Sequence, residues 1–361
     1  MKVQALLVGL LAVSALAATR EEKIAKGLRQ IETSRGVSGW MTFDEVLNLI
    51  RLDVGFMDIT YHPVKARKSR VLENAIPSSP VHQDEVKDLI DWIEIQNVKD
   101  NLAVFTSFNN RYYTASSGAE SSDWLYETVA AIASNSSLDI SVEKFPHRWS
   151  QNSVIARIPG SISQETVVIG SHQDSINMFS PANGRAPGAD DDGSGSMSVV
   201  EIFRIIVESG FKPELALEFH WYSAEEVGLL GSQDVADAYA AEDAPVRSML
   251  QIDMNGYAGD EPAIGLVTDY TSATLNTFIR ALIDEYLEIG YVNSVCGYGC
   301  SDHASWTAVG YDASFPFEAN FGDHNPLIHT PNDTIENVDF DHLNEWLKLG
   351  LAFAVELSYA A

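Results

Sequence analysis

The chain has 361 residues, 45% of them apolar, with 23 Lys and Arg against 51 Asp and Glu, a net charge of −28. This composition excludes disorder, collagen and coiled coil and allows a large buried core. So acidic a chain is repelled by phosphate backbones and anionic lipid, which argues against nucleic-acid and membrane partners. The charge is uneven: residues 76–361 hold 12 of the basic and 43 of the acidic residues, a net of −31, whereas residues 19–75 carry +2.

Lys2 precedes an apolar run from Ala5 to Leu16 that is short for a bilayer span and ends in the small-x-small pattern Ala15-Leu16-Ala17. That layout predicts a signal peptide over residues 1–17 and a secreted, extracellular protein. The sequons at Asn135 and Asn332 are glycan acceptors in an exported chain, and Cys296 and Cys300, the only cysteines, suit one disulfide in an oxidising compartment. Residues 18–75 read as a basic pro-segment, with the cleavable run Arg67-Lys68-Ser69-Arg70 before the turn-rich Ile76-Pro77-Ser78-Ser79-Pro80. The expectation is a segment that docks on the acidic body by charge and acts as its intramolecular inhibitor. A retained N-terminal subdomain is the alternative.

In the body, residues 76–361, Val86, Leu89, Ile90 and Ile93 fall at helical spacing. Strands are predicted over 154–158 and 166–169, then a helix carrying Val199, Ile202, Phe203 and Ile206 and closed by Gly210. Further strands follow over 215–222, 249–253, 264–267 and 313–317, and a last helix carries Leu343, Trp346 and Leu347. Strands alternating with helices, without repeats, predict one α/β domain with helices on both faces of a sheet. Nothing in the pattern demands an oligomer, and a monomer is expected.

Polar residues cluster where these strands end, the place α/β folds keep their sites. The strand over 166–169 runs into His172 and Asp174, and Asp190-Asp191-Asp192 opens the Val199 helix. Glu225-Glu226 follows the strand over 215–222, Asp253 ends the next one, and His329 lies in a loop after the last. Singly, each has an ordinary structural reading: a core histidine, a solvated turn, an exposed acidic pair, a helix cap. Together they gather more carboxylates than can stay ionised side by side without a cation. Mixed His, Asp and Glu donors without thiolates suit a catalytic zinc site and a metal-activated water. Rival chemistries lack their marks: there is no P-loop lysine, no G-x-G-x-x-G after a strand, no G-x-S-x-G elbow and no EF-hand spacing.

The strings GSHQDS, APGADDDGSGS, SAEEVGLLGSQ, LQIDMNGY, CGYGCSDHASW and NPLIHTPNDT, in that order from about residue 80 onward, resemble the co-catalytic dizinc aminopeptidases of peptidase family M28. Within it they are most similar to the fungal extracellular leucine aminopeptidases and the secreted bacterial leucyl aminopeptidase. The resemblance implies a single zinc-exopeptidase-type domain with a central mixed, mostly parallel β-sheet. It implies two zinc ions bridged by Asp191, one completed by His172 and Asp253, the other by Glu226 and His329. Glu225 would be the general base, with Asp174 holding the His172 ring. His303 and Asp302 are assigned to support of the site rather than to the metals. Met254, Tyr298, Phe315, Phe317 and Phe321 would form an apolar recess for leucine-like first residues, walled by the Cys296–Cys300 loop. The implied substrates are peptides with a free N-terminus. A single-zinc glutaminyl cyclase and a non-catalytic binding ectodomain on the same fold are the alternatives.

Overall fold

The computed structural model describes residues 18–52, 54–62, 76–260 and 262–359. The expected signal peptide and the basic run at 67–70 lie outside the described residues.

The first described residues form a small unit: α1 (Arg20–Ala25), β1 (Arg29–Ser34), β2 (Val37–Met41), α2 (Phe43–Arg51) and β3 (Met57–Asp58). Both helices start at capping boxes, Thr19 with Glu22 and Thr42 with Glu45, which satisfy first-turn N–H groups that would otherwise lack acceptors. The three strands pair antiparallel in the order β2-β1-β3. Ile31, Val46, Ile50 and Phe56 of this unit pack on Tyr112, Tyr113, Ile176, Val227 and Leu230 of the body. Met57 and Ile59 pack on Leu229 and Ala304. Among the described residues this contact is built largely from apolar side chains. Polar contacts among the described residues join it: His62 with Asp234 and Asp237 (3.2 and 2.8 Å), Arg51 Nε donating to Met178 O (3.2 Å), and Asp58, whose N–H donates to Gly228 O and whose C=O accepts from Gln233 Nε2, each at 3.1 Å.

The body continues with α3 (Gln83–Ile90), α4 (Ile95–Phe105), α5 (Ser116–Ser134), β4 (Ser141–Phe145), β5 (Ser153–Ile158), β6 (Thr166–His172) and α6 (Gly195–Glu208). Then come β7 (Ala216–Tyr222), α7 (Leu230–Ala241), β8 (Val246–Gln251), β9 (Ala263–Val267), α8 (Ala273–Tyr286) and β10 (Gly290–Ser294). It closes with α9 (His303–Val309), β11 (Ala313–Ser314), β12 (Pro316–Phe317) and α10 (Phe340–Leu357). The main sheet has the order β11-β8-β6-β7-β5-β4, parallel from β11 to β7 and antiparallel at β5 and β4. Every residue of β6, β7 and β8 is buried, as expected of strands covered on both faces. Alternation decides which way each points: Val167 and Ile169 face α3, α4, α5, α6, α8 and α10, while Val168 faces α7 and α9. Since β6, β7 and β8 are parallel, their C-terminal ends share one edge of the sheet, and the chemistry gathers there.

Two expected elements differ. The helix expected over 86–93 stops at Ile90, with α4 starting afresh at Ile95. The strand over 313–317 is two: β11 pairs with β8 in the main sheet, whereas β12 pairs with β9 in a second sheet of order β10-β9-β12. Pro316, which has no N–H to donate, opens the second piece, a position a sheet tolerates. Among the described residues no helix is long and apolar enough to cross a membrane.

Candidate metal centre

Asp191 stands between two histidines. One of its oxygens lies 3.1 Å from His172 Nε2, which is also 3.4 Å from Asp253; the other lies 3.0 Å from His329 Nε2, itself 3.0 Å from Glu226. The result is two groups, His172–Asp191–Asp253 and Asp191–Glu226–His329, whose donor atoms lie within 4.8 Å of one another and which share Asp191. All five side chains are buried except His329, which is 21% exposed. Two nitrogens and carboxylate oxygens, without sulfur, are a donor set that fits a divalent metal such as zinc.

Electrostatics sort these groups. Burial opposes the Asp191 charge, but hydrogen bonds from His172 and His329 win and hold its carboxyl far below the usual range. Burial likewise opposes charge on the two imidazoles, yet Asp253 and Glu225 around His172, and Glu226 and Asp191 around His329, raise both well above 6.5. Burial and the Asp191 charge push Glu226 up to about 7. Glu225 rises well above its ordinary value, through burial first and then the charges of Asp253, Asp302 and Glu226.

The aspartate triplet points in three directions. Asp190 accepts from Gly256 N and Asn325 Nδ2, both at 2.9 Å. Asp192 accepts from the backbone N–H of His172 (3.0 Å), Gly195 (2.9 Å) and Met254 (3.1 Å), so it ties together three ligand-bearing segments. Only Asp191, between them, faces the histidines. The triplet's own N–H groups at Asp190 and Asp191 donate to the two oxygens of Asp333 (2.9 and 3.1 Å). Gly188 precedes the triplet with φ +55°, and a Cβ there would lie 2.4 Å from Asp191 O, so only glycine fits.

Asp174 sits 3.5 Å from His172 Nδ1, and its two oxygens accept the N–H groups of Glu225 (3.0 Å) and Glu226 (3.3 Å). One buried carboxylate thus aligns a histidine and both glutamates. Ser301 Oγ donates to Asp253. Met254, Tyr298, Phe315, Phe317 and Phe321 line one cavity of about 170 Å³ with the five donors and Glu225. Cys296 and Cys300 are disulfide-bonded, with Tyr298 and Gly299 of that loop on the cavity wall. Val54, Gly55 and Phe56 line the same cavity from the N-terminal unit. A Cβ on Gly55 would lie 1.9 Å from the Tyr298 ring, so only a glycine can lie against it.

His303 is not among the donor groups. It stacks on Phe315 (4.8 Å between ring centroids), and burial lowers it to about 3, so it backs the cavity wall as a neutral ring. Asp302 accepts from Gln251 Nε2 (3.1 Å), and its carboxyl is raised to about 8, chiefly by burial. Asn135 and Asn332 are both exposed.

The sequence pattern of peptidase family M28 matches residues 153–354. The chain belongs to peptidase family M28. It is 44% identical to leucine aminopeptidase 1 of Fusarium vanettenii, over 91% of this chain and 87% of that protein. Among solved structures it is similar to the LapA aminopeptidase of Legionella pneumophila, with a TM-score of 0.81 and 29% identity over 92% of this chain and 99% of that one. A glutaminyl cyclase from Bacteroides thetaiotaomicron has a TM-score of 0.59 at 14% identity, over 72% of this chain and 97% of that one, which is a likeness of fold alone.

Four residues of this M28 site escaped the reading from sequence. Ser301 and Asp333 lie inside the quoted strings, and Asp192 beside Asp191, so proximity was a usable signal. Arg111 carries none. It is fully buried under the ligand loops, donating through Nε to Gln173 O and through Nη2 to Gly188 O, both at 2.8 Å, and also to Pro187 O. Burial lowers it to about 10 even though Asp333, Asp192 and Asp191 oppose the shift. Its acceptors are backbone carbonyls, and these leave no trace in the sequence.

Proposed function

We propose that this M28 peptidase is a secreted aminopeptidase that removes leucine and other apolar residues from the N-termini of peptides with two zinc ions. The observation that carries the proposal is the pair of complete donor groups sharing Asp191 on the floor of an apolar cavity. His172, Asp191 and Asp253 would hold one ion, and Asp191, Glu226 and His329 the other. Two zinc ions supply Lewis acidity there, acidifying water and polarising a carbonyl. Glu225, beside the donors on the cavity lining, takes the proton from the attacking water at its carboxylate and passes it to the departing amine. Asp174 holds the base and the ligand Glu226 in register through their backbone N–H groups.

Exopeptidase direction follows from the lining. Among the described residues no Lys or Arg lines the cavity to receive a C-terminal carboxylate, whereas its carboxylates suit a substrate amine. The apolar wall favours leucine-like first residues over polar ones, with only ~1–3 kcal/mol separating neighbours by a methylene. Against the glutaminyl cyclase and non-catalytic readings stands the completeness of both donor groups together with Glu225. In the same proposal residues 1–17 are a signal peptide and 18–75 a pro-segment whose Val54, Gly55 and Phe56 close the cavity until it is removed. The catalytic domain, 76–361, works as a monomer, with Asn135 and Asn332 available for glycans. Hydrolysis of Leu-p-nitroanilide, with and without chelator, beside its N-acetylated analogue tests the reading. Chelator-insensitive cleavage, or cleavage of the blocked substrate, refutes it.

A further inference from the structure

The N-terminal unit lines the cavity at the point where α2 has ended and the short strand β3 (Met57–Asp58) begins, so its chain leaves the cavity in a defined direction. Val54, Gly55 and Phe56 line the cavity, and Met57, Asp58 and Ile59 lead away from it. The departing backbone is held on both sides at one residue: Asp58 N–H donates to Gly228 O, and Asp58 C=O accepts from Gln233 Nε2, each at 3.1 Å. Gln233 is buried and fixed, since the same Nε2 also donates to Gly228 O (2.9 Å) and Leu229 O (3.1 Å). Gly228 has φ +104°, and a Cβ there would lie 2.6 Å from Asp58 N, so this position suits the close passage of another backbone.

Side chains alternate as an extended chain requires. Met57 and Ile59 enter a recess of Leu229 and Ala304, flanked by Tyr270 and Ala308. Asp58 points the other way, to Arg29 of its own unit (2.8 Å). This strip begins two residues after Glu226, so it is continuous with the catalytic floor. Without the N-terminal unit it presents an apolar recess beside a backbone donor and acceptor, the combination with which proteins bind extended peptides: main-chain bonds for affinity, alternate pockets for selectivity.

We infer that the strip Gly228–Leu229–Gln233–Ala304 is the exit subsite of the processed enzyme, binding an extended peptide substrate beyond its first residue. The inference rests on the aminopeptidase reading. Phe56 is the last residue of the unit to line the cavity, its ring packed on Tyr112, Tyr113, Ile176, Val227 and Leu230; a peptide whose first residue takes the place of that backbone runs outward in the same N-to-C direction as residues 56–59. Its second and fourth side chains then take the places of Met57 and Ile59, and its third N–H meets Gly228 O. The preferred substrates are thereby narrowed to peptides of at least four residues with apolar second and fourth positions, whereas a one-residue anilide does not reach the strip.

The test uses enzyme obtained from the full chain by proteolytic removal of the N-terminal segment, with Leu-p-nitroanilide as the common reference. Four tetrapeptide amides are compared: Leu-Leu-Ala-Leu, Leu-Ser-Ala-Ser, Leu-Ala-Leu-Ala, and Leu-Leu-Ala-Leu with an N-methyl group on its third residue. The first should exceed the second about tenfold in kcat/KM, from partial burial of two leucines. Leu-Ala-Leu-Ala should gain little, because its third side chain faces away, and N-methylation should cost several-fold by removing the donor to Gly228. Tyr270→Ser should narrow the leucine-to-serine ratio, normalised to the anilide in the same preparation. Equal kcat/KM for all four peptides, or an equal gain for leucine at either alternation, overturns the inference while leaving an enzyme that cleaves the anilide. Failure to cleave the anilide at all refutes the aminopeptidase reading instead.

Discussion

Asp174→Asn separates alignment from metal binding more sharply than removal of any ligand. Each Asp174 oxygen accepts one backbone N–H, from Glu225 at 3.0 Å and from Glu226 at 3.3 Å, and the carboxylate faces His172 Nδ1 at 3.5 Å. Asparagine keeps one oxygen and turns an NH₂ group toward the other donor, so one charge-assisted hydrogen bond becomes a clash of donors. A hydrogen bond to a charged group is worth about 1.5–3 kcal/mol, and ~1.4 kcal/mol is a decade in rate. Losing one should therefore lower kcat about 10- to 100-fold, the range usual for partners that orient metal ligands. KM should change little, because Asp174 is absent from the cavity lining. The assay is steady-state hydrolysis of Leu-p-nitroanilide at saturating zinc, with metal content by plasma mass spectrometry and melting temperature from the same samples. A metal-replete, folded variant within about threefold of the wild-type kcat would refute the alignment argument.

Glu225→Gln should fold, keep its metal and lose about 10²–10⁴ in kcat, whereas Glu226→Gln should lose metal and recover partly with excess zinc; rescue by zinc of the first but not the second would reverse the two roles. Removing the N-terminal segment should raise activity, because Val54, Gly55 and Phe56 occupy the cavity mouth; equal specific activity before and after processing would exclude inhibition. Burial opposes the His62 charge, but Asp234 and Asp237 raise its pKa above 6.5, so its hold on the body is full below that value and fades as pH rises through the raised one. Dissociation of the cleaved segment, followed by tryptophan fluorescence, should accelerate above neutral pH, and His62→Asn should flatten that dependence; an unchanged profile would exclude the latch. Alkylation mass spectrometry should find no free thiol at Cys296 or Cys300, and unblocked thiols would contradict the bonded pair.

The clustering of the candidate donors was legible because parallel strands make their ends meet. Continuous apolar runs ended at His172, Glu225-Glu226 and Asp253, and one topological fact, that β6, β7 and β8 run parallel, converts that list into a cluster. What stayed hidden depends on contacts that leave no side-chain pattern. Arg111 binds carbonyls far along the chain, and nothing in its own neighbourhood marks them. The break at Phe315 depends on β9 offering a second partner across the sheet boundary, which an apolar run cannot reveal. Apolar packing of the N-terminal unit was not read from the sequence for a different reason: net charge was weighed there and apolar positions were not. A charge of +2 is screened within ~8 Å at physiological salt, whereas Ile31, Val46, Ile50 and Phe56 act by direct burial.

The same physics explains how the N-terminal unit can cover an exopeptidase without being consumed. Val54, Gly55 and Phe56 line the cavity with peptide backbone, as a substrate would. What they lack is a free amine, since the chain reaching Val54 is peptide-bonded to the residues before it. In an exopeptidase that selects for an N-terminal amine, such a segment has the affinity of a substrate along the exit strip and misses the one group that commits a peptide to cleavage. Gly55 lies against the Tyr298 ring, where a side chain would clash. If the proposed exit strip is right, cover and substrate compete for one surface, and the features that hold the first predict what the second must look like.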